Sequence, residues 1–295
     1  MKKIKNVVVI IGAALCVIGI VLFGIGNMLG GRAYVKAANL NVIDGAAMLE
    51  SKDHDLILDK TKLDSIHAVD ITLNSIDLIV RPSEDHNYYF SYTLYDGYDK
   101  NPLQYKVKDG IFTLNENERD SSSYNVHVDI GLFSGLMGNK EVWDTTNVVT
   151  LYVPTDQLLE MGRIELRDGD ANVTGLACTT ANIKLLSGNL ELQDCVLGDG
   201  SIELRDGDIN AAELLIQGNL SVKMKSGNTT LQMNQKCIDN LNMVLDTKDG
   251  EIYADPIFAG KAKKTEDCIT HFERTKNEQG ARMSVRTYDG DISIK

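Results

Sequence analysis

From residue 66 to the C-terminus, apolar and polar residues alternate in short segments, and a glycine interrupts the alternation at regular intervals. Around one such glycine, Ile164 and Leu166 lie five and three residues before it, and Ala171 and Val173 lie two and four residues after it. Strict alternation is typical of β-strands that bury one face, so each segment is predicted to be a strand, a tight corner and a second strand. The arrangement recurs around Gly169, Gly188, Gly207, Gly227, Gly250 and Gly290.

The apolar positions on the two sides of each glycine are out of phase by one residue. A β-bulge or a left-handed residue at the glycine would bring both apolar sets onto one face, and glycine adopts such conformations without steric cost. The six glycines are therefore predicted to be structural turn residues.

The spacing of the glycines indicates a stack of repeats. The heptapeptide IELRDGD occurs at residues 164–170 and again at 202–208, with the degenerate copy IKLLSGN halfway between them. Successive glycines are 19, 19, 20, 23 and 40 residues apart, and the last interval is interpreted as two repeats, one of which lacks its glycine. Because such a short repeat cannot bury its own core but stacked repeats can, the sequence predicts an all-β fold. The predicted architecture is a single-chain β-solenoid (β-helix) with rungs of about 20 residues.

An insertion at residues 119–147 interrupts the solenoid, which is predicted to cover residues 66–295, while residues 30–65 lack a clean period and are predicted to be a stalk or cap. The insertion has two interpretations: it covers an open edge of the solenoid, or it binds a partner. The candidate partner-binding residues within it are Ile130, Leu132, Phe133, Leu136, Met137 and Trp143.

The N-terminus has the pattern of a membrane anchor. Three lysines in MKKIK precede an uncharged run from Val7 to Gly26, and these 20 residues, at about 1.5 Å each, cover the roughly 30 Å hydrocarbon core. The run is longer than the core of a cleaved signal peptide, so a retained anchor is preferred over a long signal sequence. We predict a cytoplasmic stub at residues 1–6, a transmembrane helix at 7–29 and an extracytoplasmic chain beyond it, because the lysines stay inside.

The amino-acid composition restricts the classes of molecule that the protein is expected to bind. The chain has 43% hydrophobic residues and a net charge of -12, which predicts a folded domain and argues against nucleic acid as a partner. Four cysteines lie outside the predicted membrane helix, and Cys178 and Cys195 fall at nearby positions of consecutive repeats. Either these two form a disulfide, or they are two small buried side chains.

The recurrent polar feature is an acidic corner, represented by Asp168, Asp170, Asp206 and Asp208. Stacking would place such carboxylates in a column with about 4.8 Å between neighbouring rungs, which suggests a divalent ion such as Ca²⁺ or the paired carboxylates of a retaining glycosidase. Asp-Gly is also the ordinary dipeptide of a tight turn, and that interpretation is preferred. The histidines lack metal-ligand spacing and no catalytic motif is recognised, so neither enzymatic activity nor a cofactor is predicted.

The anchor, the strand VVTLYVPTDQ and the successive SGN or DGD rungs together resemble the putative-adhesin β-solenoid family of bacterial envelope proteins. The resemblance covers roughly residues 66–295 and implies a domain of unknown function without catalytic residues. Some relatives are encoded with envelope-stress regulators of the Lia type, which implies a membrane-anchored accessory or sensing protein.

The resulting expectation is a non-catalytic binding, scaffold or sensing module of the cell envelope, whose partner is an envelope protein or a glycan. A surface adhesin and a carbohydrate-active β-helix enzyme are the alternatives.

Overall fold

The computed structural model describes residues 56–94, 102–117, 147–265 and 269–295, and these residues form strands almost throughout. In chain order the strands are β1 (Leu56–Lys62), β2 (Ala68–Leu73), β3 (Asp77–Pro82), β4 (Tyr89–Leu94), β5 (Leu103–Lys108), β6 (Ile111–Glu116), β7 (Val148–Val153), β8 (Leu159–Asp168), β9 (Ala171–Thr174), β10 (Ala177–Ser187), β11 (Leu190–Gln193), β12 (Val196–Asp206), β13 (Ile209–Ile216), β14 (Asn219–Ser226), β15 (Thr229–Met233), β16 (Asn242–Asp249), β17 (Ile252–Ala254), β18 (Lys263–Lys264), β19 (Thr270–Arg274), β20 (Arg282–Asp289) and β21 (Ile292–Ile294). A one-turn helix, α1 (Gln235–Ile238), and a 3₁₀ turn (Pro256–Phe258) complete the described part.

The fold is all-β and solenoid-like. Sheet A runs in the order β1-β4-β7-β3-β9-β11-β13-β15-β21-β17, and sheet B runs in the order β5-β6-β2-β8-β10-β12-β14-β20-β16-β19-β18. Eight successive strands of each sheet are parallel, from β7 to β17 in sheet A and from β6 to β16 in sheet B. Antiparallel strands extend the N-terminal margin of sheet A and both margins of sheet B. Each rung contributes one strand to each sheet, as β8 and β9 do, so the apolar faces of the two sheets enclose the core between them.

The order of the rungs in the stack differs from their order in the chain at both ends. The rung β2/β3 lies between β6/β7 and β8/β9, and the C-terminal rung β20/β21 lies between β14/β15 and β16/β17. The interpretation of the last 40-residue interval as two rungs was therefore wrong. That interval holds the 3₁₀ turn and the antiparallel strands β18 and β19, which cover the edge of β16, and the chain then returns into the stack.

The core consists of columns of apolar side chains, one from each rung. In sheet B, Ile183 lies in register with Ile164 and Ile202, and all three are at most 2% exposed. Burying one such side chain contributes about 1.5–3 kcal/mol. Stacking therefore supplies the burial that a single rung of two short strands lacks.

The two ends of the stack are closed differently. At the C-terminal end, Phe258 and Phe272 are buried, and Arg274 donates hydrogen bonds to the carbonyl oxygens of Ile238 (2.7 Å) and Leu241 (3.3 Å) beside α1. At the N-terminal end, the marginal strands β1 and β5 carry exposed lysines, which discourage further strand pairing. Strand β1 lies wholly within residues 30–65, the segment predicted to be a stalk or cap.

Several predicted segments lie outside the described residues. They are the cytoplasmic stub at 1–6, the membrane span at 7–29, residues 30–55 of the stalk or cap, and the insertion, of which only Asn147 is described. No helix within the described residues is long and apolar enough to cross a membrane.

Candidate binding surface

The predicted turn glycines lie one above another in a corner column where the backbones of successive rungs are in close contact. A Cβ atom at Gly207 would lie 2.0 Å from the carbonyl oxygen of Gly188, and one at Gly227 would lie 1.9 Å from that of Gly207. The φ angles of Gly188, Gly207, Gly227 and Gly290 lie between +124° and +140°, whereas Gly169 and Gly250 do not have positive φ. Four of the glycines thus have positive φ, although not the left-handed helical value near +57°.

The residue after each glycine forms a hydrogen-bonded ladder along this column. The side chain of Asp170 accepts a hydrogen bond from the backbone N–H of Asn189 (2.7 Å), and the side chain of Asn189 accepts one from the N–H of Asp208 (3.0 Å). Each side chain therefore satisfies a backbone donor of the next rung, which explains why Asp or Asn recurs there. We call this set the corner ladder; its members are Asp77, Asp170, Asn189, Asp208, Asn228, Asp291 and Glu251. Asp77 begins the ladder although it follows Ile76 and not a glycine, and Glu251 ends it by donating its N–H to Asp291.

Asp and Asn alternate through the middle of the corner ladder, which separates the negative charges by two rungs. At its beginning, however, Asp77 and Asp170 are direct neighbours, and Asp77 accepts the N–H of Asp170 at 2.8 Å. Burial, together with the nearby charge of Asp170, raises the pKa of Asp77, although the hydrogen bond from Asp170 opposes the shift.

The two remaining acidic candidates lie just before their glycines and face solvent. Asp168 is 3.9 Å from the Nε of Arg167, and Asp206 is 3.4 Å from the Nε of Arg205. Ser187 lies in register between the two aspartates, so they are two rungs apart and do not form the closely stacked pair considered for a retaining glycosidase. Among the described residues, no three His, Cys, Asp or Glu side chains are grouped to hold a metal ion.

Ion pairs cover the outer face of sheet B. Lys184 lies 3.2 Å from Glu165, and Arg286 lies 3.4 Å from Asp246, because residues of opposite charge occupy the same position on neighbouring strands. A shallow groove of about 170 Å³ between these rows is lined by Arg163, Glu165, Asn182, Lys184, Ser201 and Glu203. Most of the charges on this face are thus matched by a neighbour within the protein.

From β9 to β17 the outer face of sheet A is, in contrast, polar and carries few charges. Its outward residues on β9, β11, β13, β15, β21 and β17 are Asn172, Thr174, Glu191, Gln193, Asn210, Ala212, Thr230, Gln232, Ser293 and Tyr253. Glu191 is the one charged residue among these ten, and Glu213, exposed at an irregularity of β13, adds a second carboxylate. A straight row crosses six strands, with each residue in register with the next; we call it the strand row, and its members are Asn172, Glu191, Asn210, Thr230, Ser293 and Tyr253.

A cluster of cations and aromatic rings lies on sheet A at its N-terminal end. The rings of Tyr89 and Tyr152 meet edge to face at 6.4 Å, and the ammonium group of Lys60 lies 4.6 Å and 4.5 Å from their centroids. The guanidinium group of Arg81 lies 5.5 Å from the ring of Tyr152, and the hydroxyl of Tyr89 donates to Asp85 at 2.7 Å. These contacts cross from β1 to β3 and tie the marginal strands to the stack.

The cysteines in the described residues are buried free thiols. Burial raises the pKa of Cys178 to about 12 and that of Cys195 to about 11. Of the two interpretations of this pair, the structure therefore supports two small buried side chains. Cys268 lies outside the described residues.

The six candidate partner-binding residues of the insertion also lie outside the described residues, but the points where the insertion joins the solenoid are defined. In chain order it stands between β6 and β7, the two strands of one rung. At the end of β6 the carboxylate of Glu116 accepts hydrogen bonds from the backbone N–H groups of Asn74 (2.6 Å) and Ser75 (2.9 Å). Strand β6 therefore ends next to the corner column.

The sequence interpretation missed the strand row and the charge contrast between the two outer faces. The signal was present in the polar positions, because the third residue after each glycine is mostly uncharged while the fourth residue before it is mostly charged. This difference in charge distinguishes two outer faces only once the position before the glycine is assigned to sheet B and the position after it to sheet A.

The sequence model of the family described as Toastrack DUF4097 matches residues 145–295. A search of curated proteins gives no match.

Similar solved structures include a putative cell adhesion protein from Clostridium sporogenes, with 12% identity, a TM-score of 0.49, and coverage of 82% of this chain and 98% of that one. Another is a putative adhesin from Bacteroides fragilis, with 13% identity, a TM-score of 0.33, and coverage of 83% and 99%. A third is a putative lipid binding protein from Parabacteroides distasonis, with 13% identity, a TM-score of 0.31, and coverage of 83% and 98%.

Proposed function

This chain belongs to the Toastrack DUF4097 family, and from that premise we propose that it is a non-catalytic binding or sensing module of the bacterial cell envelope. In this proposal the segment at residues 7–29 holds the protein in the cytoplasmic membrane, and the solenoid lies on the outer side.

The observation that carries the proposal is the straight, in-register arrangement of polar side chains on the outer faces of the stack. Strands such as β11 and β13 are hydrogen-bonded on both sides, so their outward side chains are held at fixed spacing. A surface that is ordered before binding loses little entropy when a partner docks, which favours recognition.

The acidic residues support a binding function more than a catalytic one. Asp170 and Asp208 each accept a backbone N–H of the next rung, and removing either side chain would leave that donor unpaired. Asp168 and Asp206 are exposed, lie beside arginines and are two rungs apart, so they do not form the close carboxylate pair of a retaining glycosidase.

The first test concerns location. Spheroplasts containing the full chain are treated with protease, and the solenoid is detected with an antibody before and after lysis. We expect the solenoid to be digested in intact spheroplasts. Its protection until lysis would place it in the cytoplasm and contradict the proposal.

The second test concerns binding. Intact cells are treated with a membrane-impermeant crosslinker, and the full chain is compared with a variant that lacks residues 130–138. We expect a specific envelope component to be crosslinked to the full chain. Its loss in the variant would assign recognition to the insertion, and its retention would assign recognition to the faces of the solenoid. Absence of any specific crosslinked component would contradict the proposal.

A further inference from the structure

We propose that the outer face of sheet A, where the strand row runs beside the corner ladder, binds a linear uncharged glycan along the stacking axis. The glycan is assigned a β-1,4-linked backbone with a disaccharide repeat. This inference deepens the proposed function and rests on it, since it names the class of envelope component that the solenoid recognises.

The first argument is the two-rung period of the side chains. At the start of β9 the two rows present Asp170, just before the strand, and Asn172, and two rungs further along the stack they present Asp208 and Asn210. The intervening rung presents a different pair, Asn189 and Glu191. Two rungs span about 9.5 Å, which is on the order of the length of one β-1,4-linked disaccharide. Two equivalent sugars of such a chain would therefore meet the same pair of side chains, and the next equivalent sugar would meet Asp291 and Ser293.

The second argument is the hydrogen-bonding capacity of this face. The side chains of Gln193, Asn210 and Ser293 make no hydrogen bond to any other described residue, so their donors and acceptors face solvent. Asn172 is held in place by a bond from its amide nitrogen to Glu191 (2.9 Å) and by one that Thr174 donates to its oxygen (3.4 Å). Side-chain amides and hydroxyls of this kind pair with the hydroxyl and N-acetyl groups of a sugar.

The third argument is charge. The ion pairs on sheet B neutralise that face internally, whereas the corner ladder beside the strand row carries five carboxylates and no cation. They belong to Asp77, Asp170, Asp208, Asp291 and Glu251. A polyanionic chain would be repelled along this whole column, while an uncharged glycan can donate its hydroxyl groups to the free carboxylate oxygens.

The fourth argument is the position of Tyr253. Its side chain is 58% exposed and ends the strand row at the C-terminal end of sheet A, next to Ser293. An exposed ring offers a flat apolar surface for the C–H face of a sugar, with a hydroxyl at its edge. The row therefore combines in-line polar groups with a stacking surface at one end.

The experiment is calorimetric titration of the full chain with the di-, tetra- and hexasaccharides of chitin and cellulose. The protein is held in a polyoxyethylene detergent, since sugar-headed detergents would compete. Hexagalacturonate serves as the polyanionic comparison. We expect affinity to increase with each added disaccharide and the polyanion not to bind.

The variant Asn172→Ala/Asn210→Ala removes the two amides that repeat across two rungs. We expect it to bind hexasaccharide about tenfold more weakly, since two hydrogen bonds are lost. Asn182→Ala/Ser201→Ala removes two outward polar groups from neighbouring rungs of sheet B and is the matched control, which we expect to bind like the wild type. Equal binding by both variants, or equal loss in both, would overturn the inference.

The outcome also separates this inference from the proposed function. If no neutral hexasaccharide binds while the crosslinked envelope component persists, the glycan assignment is wrong and the envelope function stands. If neither is observed, both proposals fail. If no glycan binds and sedimentation shows a dimer that Asn172→Ala/Asn210→Ala dissociates, the face is a contact between two copies, and the glycan assignment is again wrong.

Discussion

The substitution Gly207→Ala tests whether the close contact between rungs in the corner column requires glycine. Gly207 has φ of +140°, and an added Cβ would lie 2.0 Å from the carbonyl oxygen of Gly188 in the rung beneath. The unfavourable φ costs about 1–3 kcal/mol and forcing the rungs apart costs about 1–3 kcal/mol. Because β12 is hydrogen-bonded to both β10 and β14, the rung cannot shift to relieve the contact. We therefore expect the free energy of unfolding to fall by about 2–6 kcal/mol.

Gly162→Ala is the matched control. Gly162 lies in the same sheet, but its added Cβ would meet nothing nearer than the Sγ of Cys178 at 3.6 Å, which is an ordinary contact, and its φ is not positive. Replacing such a glycine reduces the entropy of the unfolded chain, so we expect Gly162→Ala to be stabilising by about 0.4–1 kcal/mol.

Both variants are measured by urea unfolding of the full chain, followed by circular dichroism of the β-sheet signal. A lower midpoint with an unchanged slope would show that the stack still unfolds as a unit, whereas a lower slope would show that it divides at the altered rung. A loss of less than about 1 kcal/mol in Gly207→Ala, or equal losses in the two variants, would refute the close-contact argument.

Three further predictions follow from the same structure. Asp77→Asn keeps the acceptor for the N–H of Asp170 but removes the adjacent like charge, so we expect it to be more stable at neutral pH by about 0.2–1 kcal/mol. Because the pKa of Asp77 is raised in the folded protein, the contribution of Asp77 to stability is complete at low pH and is lost as the pH rises through that pKa. The unfolding midpoints of the wild type and of Asp77→Asn should therefore converge at acidic pH. Deleting residues 281–295 removes the rung that lies between β14/β15 and β16/β17, so both neighbouring rungs lose a hydrogen-bonding partner. Limited proteolysis should then cut the chain from residue 219 onward. Protection of the chain up to residue 250 would contradict the observed order of the rungs. In a chain whose other cysteines are replaced by alanine, Cys178 and Cys195 should react with a thiol reagent at pH 8 only as fast as the protein unfolds, and rapid labelling of the native protein would contradict their burial.

The sequence alone could predict only those features of the candidate surface that depend on neighbouring residues in the chain. The recurrence of Asp or Asn after each glycine was visible, but its use was not, because the bond from Asn189 N–H to Asp170 joins residues 19 positions apart. A short polar residue after a glycine is equally consistent with a turn, an ion site or a ladder. Only the stacking distance between rungs decides among them.

The sequence by itself determined the local elements of this protein. Alternation around Gly169, Gly188 and Gly207 specifies strands, corners and the buried face, because side-chain direction in a strand depends only on position along the chain. Tertiary structure decided which rung lies next to which. The free edges of β14 and β16 offer equivalent backbone donors and acceptors, so periodicity cannot reveal that β20 fills the space between them. The assignment of charged positions to one outer face and neutral positions to the other also depends on the completed stack, because it exists only after both sheets have formed.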